Sequence, residues 1–227
     1  PGRDPHHDRL EEVVFRMDLL GRLAARGTPV VNPPATLEAA IDKYLSLCRL
    51  AAAGLPVPRT RVVQGGEQVM DAYRALGGDC VLKPLFGSRG RGLVRIDSET
   101  AAVAVAEGSP RVAYLQEFIP HAGWDVRILV VGSRIFSMRR LAPPGEWRTN
   151  VSLGGTPQPF DPPPAWIEIA VRAAAALGAE IAGVDLLPTP DGRLVVLEVN
   201  GVPAWRGLEA ATGHDIAAAI AEHLTSR

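Results

Sequence analysis

Two stretches of this 227-residue sequence combine residue types that can do chemistry with spacings that bring them together. The first reads Val81-Leu82-Lys83-Pro84-Leu85-Phe86-Gly87-Ser88-Arg89-Gly90-Arg91-Gly92-Leu93-Val94. Three glycines and a serine in six positions make a loop whose backbone N–H groups can approach phosphate oxygens closely. No Gly-Lys-Ser/Thr closes it as in a Walker loop. A strand rather than a helix follows it, which excludes a dinucleotide fingerprint. Strand, lysine, glycine-rich turn and strand describe a flap over phosphates with Lys83 beneath them. Taken alone, the stretch reads equally as a Gly-rich hairpin.

The second stretch is Gly183-Val184-Asp185-Leu186-Leu187 followed by Leu194-Val195-Val196-Leu197-Glu198-Val199-Asn200. Positions i and i+2 of a strand share a face, so Glu198 and Asn200 converge. Asp185 joins them if the two strands are antiparallel neighbours. Hard oxygen donors of this kind suit Mg²⁺, which keeps water and substrate phosphate as its other ligands. A carboxylate in so apolar a run is costly unless paired or metal-bound, and the competing reading is an ion pair with an arginine. A third set, Arg127, Arg139, Arg140 and Arg148 with Asn150, spreads over successive strands. Guanidinium forks bind phosphate and carboxylate bidentately. Singly each reads as a solvated surface residue; beside a phosphate loop and a magnesium trio they read as an anion pocket.

These residues need strands to carry them. Strands are expected at 61–64, 80–84, 93–96, 114–118, 126–131, 134–140, 183–187 and 194–199. Helices are expected at 9–26, where Val13, Val14, Met17, Leu20 and Leu23 recur at helical spacing, at 36–54, 67–76, 99–106, 165–177 and 214–224. The Pro-rich run 157–164 reads as a surface connection. Tight turns at Gly132-Ser133 and Asp191-Gly192 make the sheet largely antiparallel and the fold class α+β.

Composition narrows the function classes. A formal net charge of -1 argues against wholesale nucleic-acid binding. No uncharged apolar run reaches the ~18 residues of a membrane span, and PGRDPHHDRL is not a secretory signal. Cytoplasmic placement is the expectation, with Cys48 and Cys80 as buried thiols. His6, His7, His121, His214 and His223 show no metal-ligand spacing and read as surface residues. Neither a Gly-x-Ser-x-Gly elbow nor a kinase-type catalytic loop is present.

Taken in order, Asp42-Lys43, 81–92, Gln116-Glu117-Phe118-Ile119, Asp125-Val126-Arg127, Arg148-Thr149-Asn150, Gly183-Val184-Asp185 and Glu198-Val199-Asn200 resemble the ATP-grasp superfamily. Within it they resemble the RimK-type α-L-glutamate ligases. The resemblance implies an ATP-grasp fold, two α+β subdomains clasping ATP. Residues 1–58 would be a remnant of a pre-ATP-grasp domain, largely missing, with its connecting helix. Residues 59–113 would form the lid subdomain and 114–227 the catalytic subdomain.

It also implies roles. Lys43 and Lys83 would touch ATP phosphates, and Gly87, Ser88, Arg89, Gly90 and Gly92 would close over them. The backbone of Gln116, Glu117, Phe118 and Ile119 would read adenine, with Asp125 at the ribose side. Arg127, Arg148 and Asn150 would face an acyl phosphate and the incoming amino acid. Asp185, Glu198 and Asn200 would hold two Mg²⁺ ions, or Mn²⁺. Arg139 and Arg206 are further candidates for substrate carboxylates. After Asn200 the sequence reads Gly201-Val202-Pro203-Ala204-Trp205-Arg206 where most such ligases resemble Asn-Ala/Ser-Ser-Pro-Gly. That variant resembles the tetrahydromethanopterin glutamate ligase branch. The implied partners are L-glutamate and a small pterin- or furan-type acceptor carboxylate, with a protein or carrier-protein C-terminus as the alternative acceptor. A homodimer or homotetramer, and a non-catalytic ATP-binding module, complete the expectations.

Overall fold

The computed structural model describes residues 5–87, 90–108 and 111–226. Two antiparallel sheets face each other across a cleft, and α-helices cover their outer sides. Helix α1 (Pro5–Ala25) leads into α2 (Pro34–Ile41) and α3 (Lys43–Ala52). The single helix expected at 36–54 is two, because Asp42 leaves helical geometry and its carboxylate accepts from Tyr44 N at 2.8 Å and Leu45 N at 3.0 Å. That is an N-cap in mid-sequence, and it sets Lys43 as the first residue of the new helix. Asn32 ties the preceding turn to the second sheet. Its amide donates at 2.7 Å to the carbonyls of Ile181 and Gly201.

The first sheet holds β1 (Thr60–Val63), β2 (Cys80–Lys83), β3 (Val94–Ile96) and β4 (Ala113–Glu117), in the order β1-β4-β2-β3. Helices α4 (Gly66–Ala75) and α5 (Glu99–Gly108) bury Val69, Ala72, Leu76 and Ala102 against Cys80, Ile96 and Leu115. The division expected after residue 113 is therefore displaced. Strand β4 pairs with both β1 and β2, so the sheets part after Glu117.

The second sheet runs in the order β7-β6-β5-β8-β9. Its strands are β5 (Trp124–Val131), β6 (Arg134–Leu141), β7 (Thr156–Pro159), β8 (Ile181–Pro188) and β9 (Leu194–Asn200). Strand alternation divides its two faces. Val126, Ile128, Val130, Val184, Leu186 and Val196 point to α6 (Pro164–Leu177) and form the largest core. On the other face, Leu129, Val131, Met138 and Ile181 are covered by α7 (Arg206–Thr212) and α8 (Ile216–Thr225). Farther along the same strands that face turns charged, at Asp125, Arg127, Arg140 and Asp185. Helix α1 packs on α2 and leaves Val14 and Phe15 exposed. Among the described residues, no helix is long and apolar enough to cross a membrane.

Candidate active site

The cleft between the sheets is lined by residues of both of them. Ile119, Leu187 and Leu197 pack together as an apolar part of the lining, joined by Val81, Leu93 and Phe118, and Lys43, Lys83, Arg148, Asp185 and Glu198 supply its charge. A flat hydrophobic group and a polyanion can therefore lie side by side in it.

Lys83 ends β2 and reaches in from the first sheet, where its Nζ donates to Gln116 Oε1. Burial pushes its pKa down to about 8, against the pull of the Glu198 carboxylate. Lys43 arrives from α3, and its Nζ donates at 2.7 Å to the Gly87 carbonyl, which ties the helix to the glycine-rich loop. Burial lowers its pKa too, with Glu198 opposing.

Gly90 and Gly92 take left-handed backbone, at φ 68° and 73°. At Gly90 a Cβ would stand 2.4 Å from Asn150 Oδ1 and 2.9 Å from Leu153 Cδ1, so only glycine lets the loop meet the 142–155 segment. Ser88 and Arg89 lie outside the described residues. Gly92 is not among the lining residues, whereas Arg91 is.

At the hinge, Phe118 and Ile119 belong to the apolar part of the lining, while the Glu117 carboxylate accepts from Arg59 N at 2.9 Å and Arg59 Nε at 2.6 Å. The Arg95 guanidinium sits 3.6 Å from the Phe118 ring centre, and Trp147 meets that ring edge-on at 5.7 Å. Trp147 and His121 both line the cleft. The reading of His121 as a surface residue is thus corrected: its ring is half-buried, its Nδ1 accepts from Gly123 N at 3.2 Å, and burial lowers its pKa.

Asp185 and Glu198 stand opposite each other in the β8–β9 register, and Asn200 stands opposite Gly183. The three donors thus lie along one face, as the strand spacing predicts. Asp185 is also the centre of an ion-pair row. Arg127 forks it through Nε and Nη2; Arg140 reaches it at 3.0 Å and forks Asp125 at 2.8 and 2.5 Å. Burial alone would raise the Asp185 pKa, but the two guanidiniums outweigh it and hold the carboxyl below its usual range. Glu198 goes the other way, raised by burial and by the Asp185 charge, with Arg127 and the two lysines opposing. Two carboxylates that line the cleft, with an amide on the same strand face, form a donor set whose chemistry fits Mg²⁺. Among the described residues no cluster of three His, Cys, Asp or Glu side chains could hold a metal, so any divalent site here depends on the amide or on the ligand.

Several expected site residues stand elsewhere. Arg127 does not line the cleft; it backs Asp185 and lies against Gly183. Arg139 donates at 3.0 Å to Gln158 Oε1, away from the cleft. Arg206 is exposed at the start of α7, and Asn200 donates to the Gly183 carbonyl at 3.4 Å. Asp125 lines the cleft with its carboxylate already forked by Arg140. Arg148 and Asn150 do line it, and Glu146 sets the Arg148 guanidinium with bonds of 3.0 and 2.6 Å. Those bonds hold the Glu146 carboxyl down at about 2.

Residues 40–224 match the RimK-like ATP-grasp domain. The chain belongs to this family. RimK-like ATP-grasp proteins are ADP-forming ligases that use ATP and Mg²⁺, and this chain is an ATP-grasp ligase by membership. A tetrahydromethanopterin:alpha-L-glutamate ligase of Methanosarcina acetivorans is 35% identical over 254 residues, covering 98% of this chain and 78% of its own length. A probable alpha-L-glutamate ligase of Mannheimia succiniciproducens is 38% identical over 214 residues, covering 92% and 71%. Among solved structures, a RimK domain ATP-grasp protein from Sphaerobacter thermophilus superposes with a TM-score of 0.74 at 32% identity, covering 92% of this chain and 76% of that one. The ATP-grasp ligase PsnB, complexed with a precursor variant, Mg and ADP, superposes at 0.73 with 25% identity, covering 96% and 69%.

Proposed function

We propose that this chain joins L-glutamate to a carboxylate on a small pterin- or furan-type cofactor through an acyl phosphate. The observation that carries the reading is the cleft itself, in which two ammonium groups and the Arg148 guanidinium face two strand-borne carboxylates beside an apolar slot.

In the first step a carboxylate oxygen of the acceptor attacks the γ-phosphorus of ATP, the bond to the β-phosphate oxygen breaks, and ADP leaves. In the second the glutamate amine attacks the acyl carbon. Inorganic phosphate departs with the bonding pair, the nitrogen gives up a proton, and an amide remains. The residues contribute position and charge rather than covalent chemistry. Phe118, Ile119 and Leu197 hold the base against the apolar lining. Lys43 and Lys83 draw in the phosphates, under a loop that includes Gly87, Gly90 and Gly92. Arg148 and Asn150, brought against that loop at Gly90, stand where negative charge passes from phosphate to acyl oxygen. Asp185, Glu198 and Asn200 would hold Mg²⁺, which neutralises phosphate charge when bound. Mn²⁺ suits the same donors.

The acceptor assignment follows the similarity to the tetrahydromethanopterin ligase. The likeness to PsnB, also solved with a precursor peptide, supports a peptide or protein carboxylate as the second reading. ADP release with Mg²⁺ and L-glutamate, screened across pterin, furan and peptide acceptors with mass analysis of the products, separates the two. Glutamyl addition to a small acceptor bears the first reading out. Addition to peptides alone replaces it, and ADP release without any adduct contradicts both.

A further inference from the structure

Cations in and behind the cleft are held in two different ways. The guanidiniums of Arg127, Arg140 and Arg148 are each forked onto a carboxylate. The two ammonium groups rest on neutral oxygens: Lys43 on the Gly87 carbonyl and Lys83 on the Gln116 amide. Gln116 belongs to the hinge strand and lines the cleft, and only 3% of the residue is exposed. It stands opposite Thr60 in β1 and Val81 in β2, diagonal to Lys83, which stands opposite Tyr114.

Its neighbours fix which way the amide points. An ammonium group only donates, so the amide oxygen must face Lys83. Its Nε2 then donates to Thr60 Oγ1 at 3.0 Å and to the Tyr114 hydroxyl at 3.4 Å. The Thr60 hydroxyl spends its proton on the Pro58 carbonyl at 3.1 Å, which leaves it an acceptor toward Gln116. A flipped amide would set donor against donor at Lys83. The line of bonds runs from fixed backbone to the tip of a lysine that burial would otherwise disfavour.

We propose that Gln116 is a positioning residue: its side chain, backed by Thr60, aims the Lys83 ammonium into the cleft and leaves its charge uncancelled for the nucleotide phosphates. A glutamate of the same shape would aim the lysine equally well, but the resulting ion pair would cancel the charge and repel the polyanion. The inference rests on the reading of Lys83 as a phosphate ligand, and its test keeps the two separable.

Calorimetric binding of Mg-ATP and of adenosine is compared for the whole chain and for Gln116→Glu, Gln116→Met, Lys83→Met and Lys83→Met/Gln116→Glu. Gln116→Glu is expected to weaken ATP by about tenfold or more, the scale of one charged hydrogen bond, with adenosine affinity unchanged. Gln116→Met loosens the lysine and is expected to weaken ATP less. In the Lys83→Met background Gln116→Glu should add much less than it does alone. Equal losses for ATP and adenosine would make Gln116 a structural residue and overturn the proposal. Unchanged ATP binding in Gln116→Glu, with binding lost in Lys83→Met, would overturn the proposal while the reading of Lys83 stands. Unchanged binding in Lys83→Met would overturn both.

Discussion

The two sheets meet at one cleft but arm it by opposite means. The first, with strands of 3 to 5 residues, carries a single lysine into the site on a neutral amide. The second, with longer central strands, carries a row of four charges, Asp125, Arg140, Asp185 and Arg127, each neutralised by its neighbour. Both arrangements are buried, so each must answer the cost of taking charge out of water. A closed row answers it within the protein, and the result is a rigid frame. A lysine on an amide answers it in part, and the remainder draws in an anion.

Breaking either arrangement should show this difference. The largest effect is expected at Glu198, which faces Asp185 across β8 and β9. Glu198→Ala should abolish ADP release with the thermal midpoint within a few degrees of wild type; retained turnover would remove Glu198 from the metal site. Next comes Arg140→Met, which strands Asp125 and half of the support of Asp185 in a buried position. Losing one partner of a buried pair costs about 3–5 kcal/mol, and chemical denaturation should register a loss on that scale. A loss below 1 kcal/mol, of the surface-pair kind, would mean that water reaches the row. The smallest effect belongs to the helices packed on the first sheet, α4 and α5. The side chains of Arg74 and Glu99 are 61% and 68% exposed at 3.2 Å, so Arg74→Ala should change stability by less than about 1 kcal/mol.

Much of this was legible in the sequence because alternation and turn chemistry are local. The eight strands that the pattern indicates all form, and the Glu198–Asn200 spacing does put both side chains on one face. What it missed depends on long-range pairing. Strand β7 contains Pro157 and Pro159 and reads as a connection; it survives at the sheet edge, where a missing N–H costs no ladder bond. Helix α7 has 7 residues and a glycine at its second position, too short and too weak to register as a period. The helix break at Asp42 looks like a surface carboxylate until its cap bonds are seen. Cys48 lies at an apolar spacing in α3 yet is exposed, whereas Cys80 is buried and its thiol is raised to about 11 by that burial.

The site follows the same rule. Residue types announced an anion pocket, but which arginine serves as counter-ion and which faces the ligand is set by strand register. Arg140 and Arg127 stand opposite Asp125 and Met138, and no local pattern reveals that both guanidiniums close on Asp185. His121 and Trp147 sit in loops with no period at all. Their only signal was position, one just past the hinge and one just before Arg148.

In the proposed reaction the cleft passes a phosphoryl group to a carboxylate before the amide forms. That order is tested most directly by supplying the acceptor with heavy-oxygen-labelled carboxylate and following the label into products. ADP is expected, with one labelled oxygen carried into inorganic phosphate for each amide formed. Unlabelled phosphate, or label appearing in AMP, would contradict it.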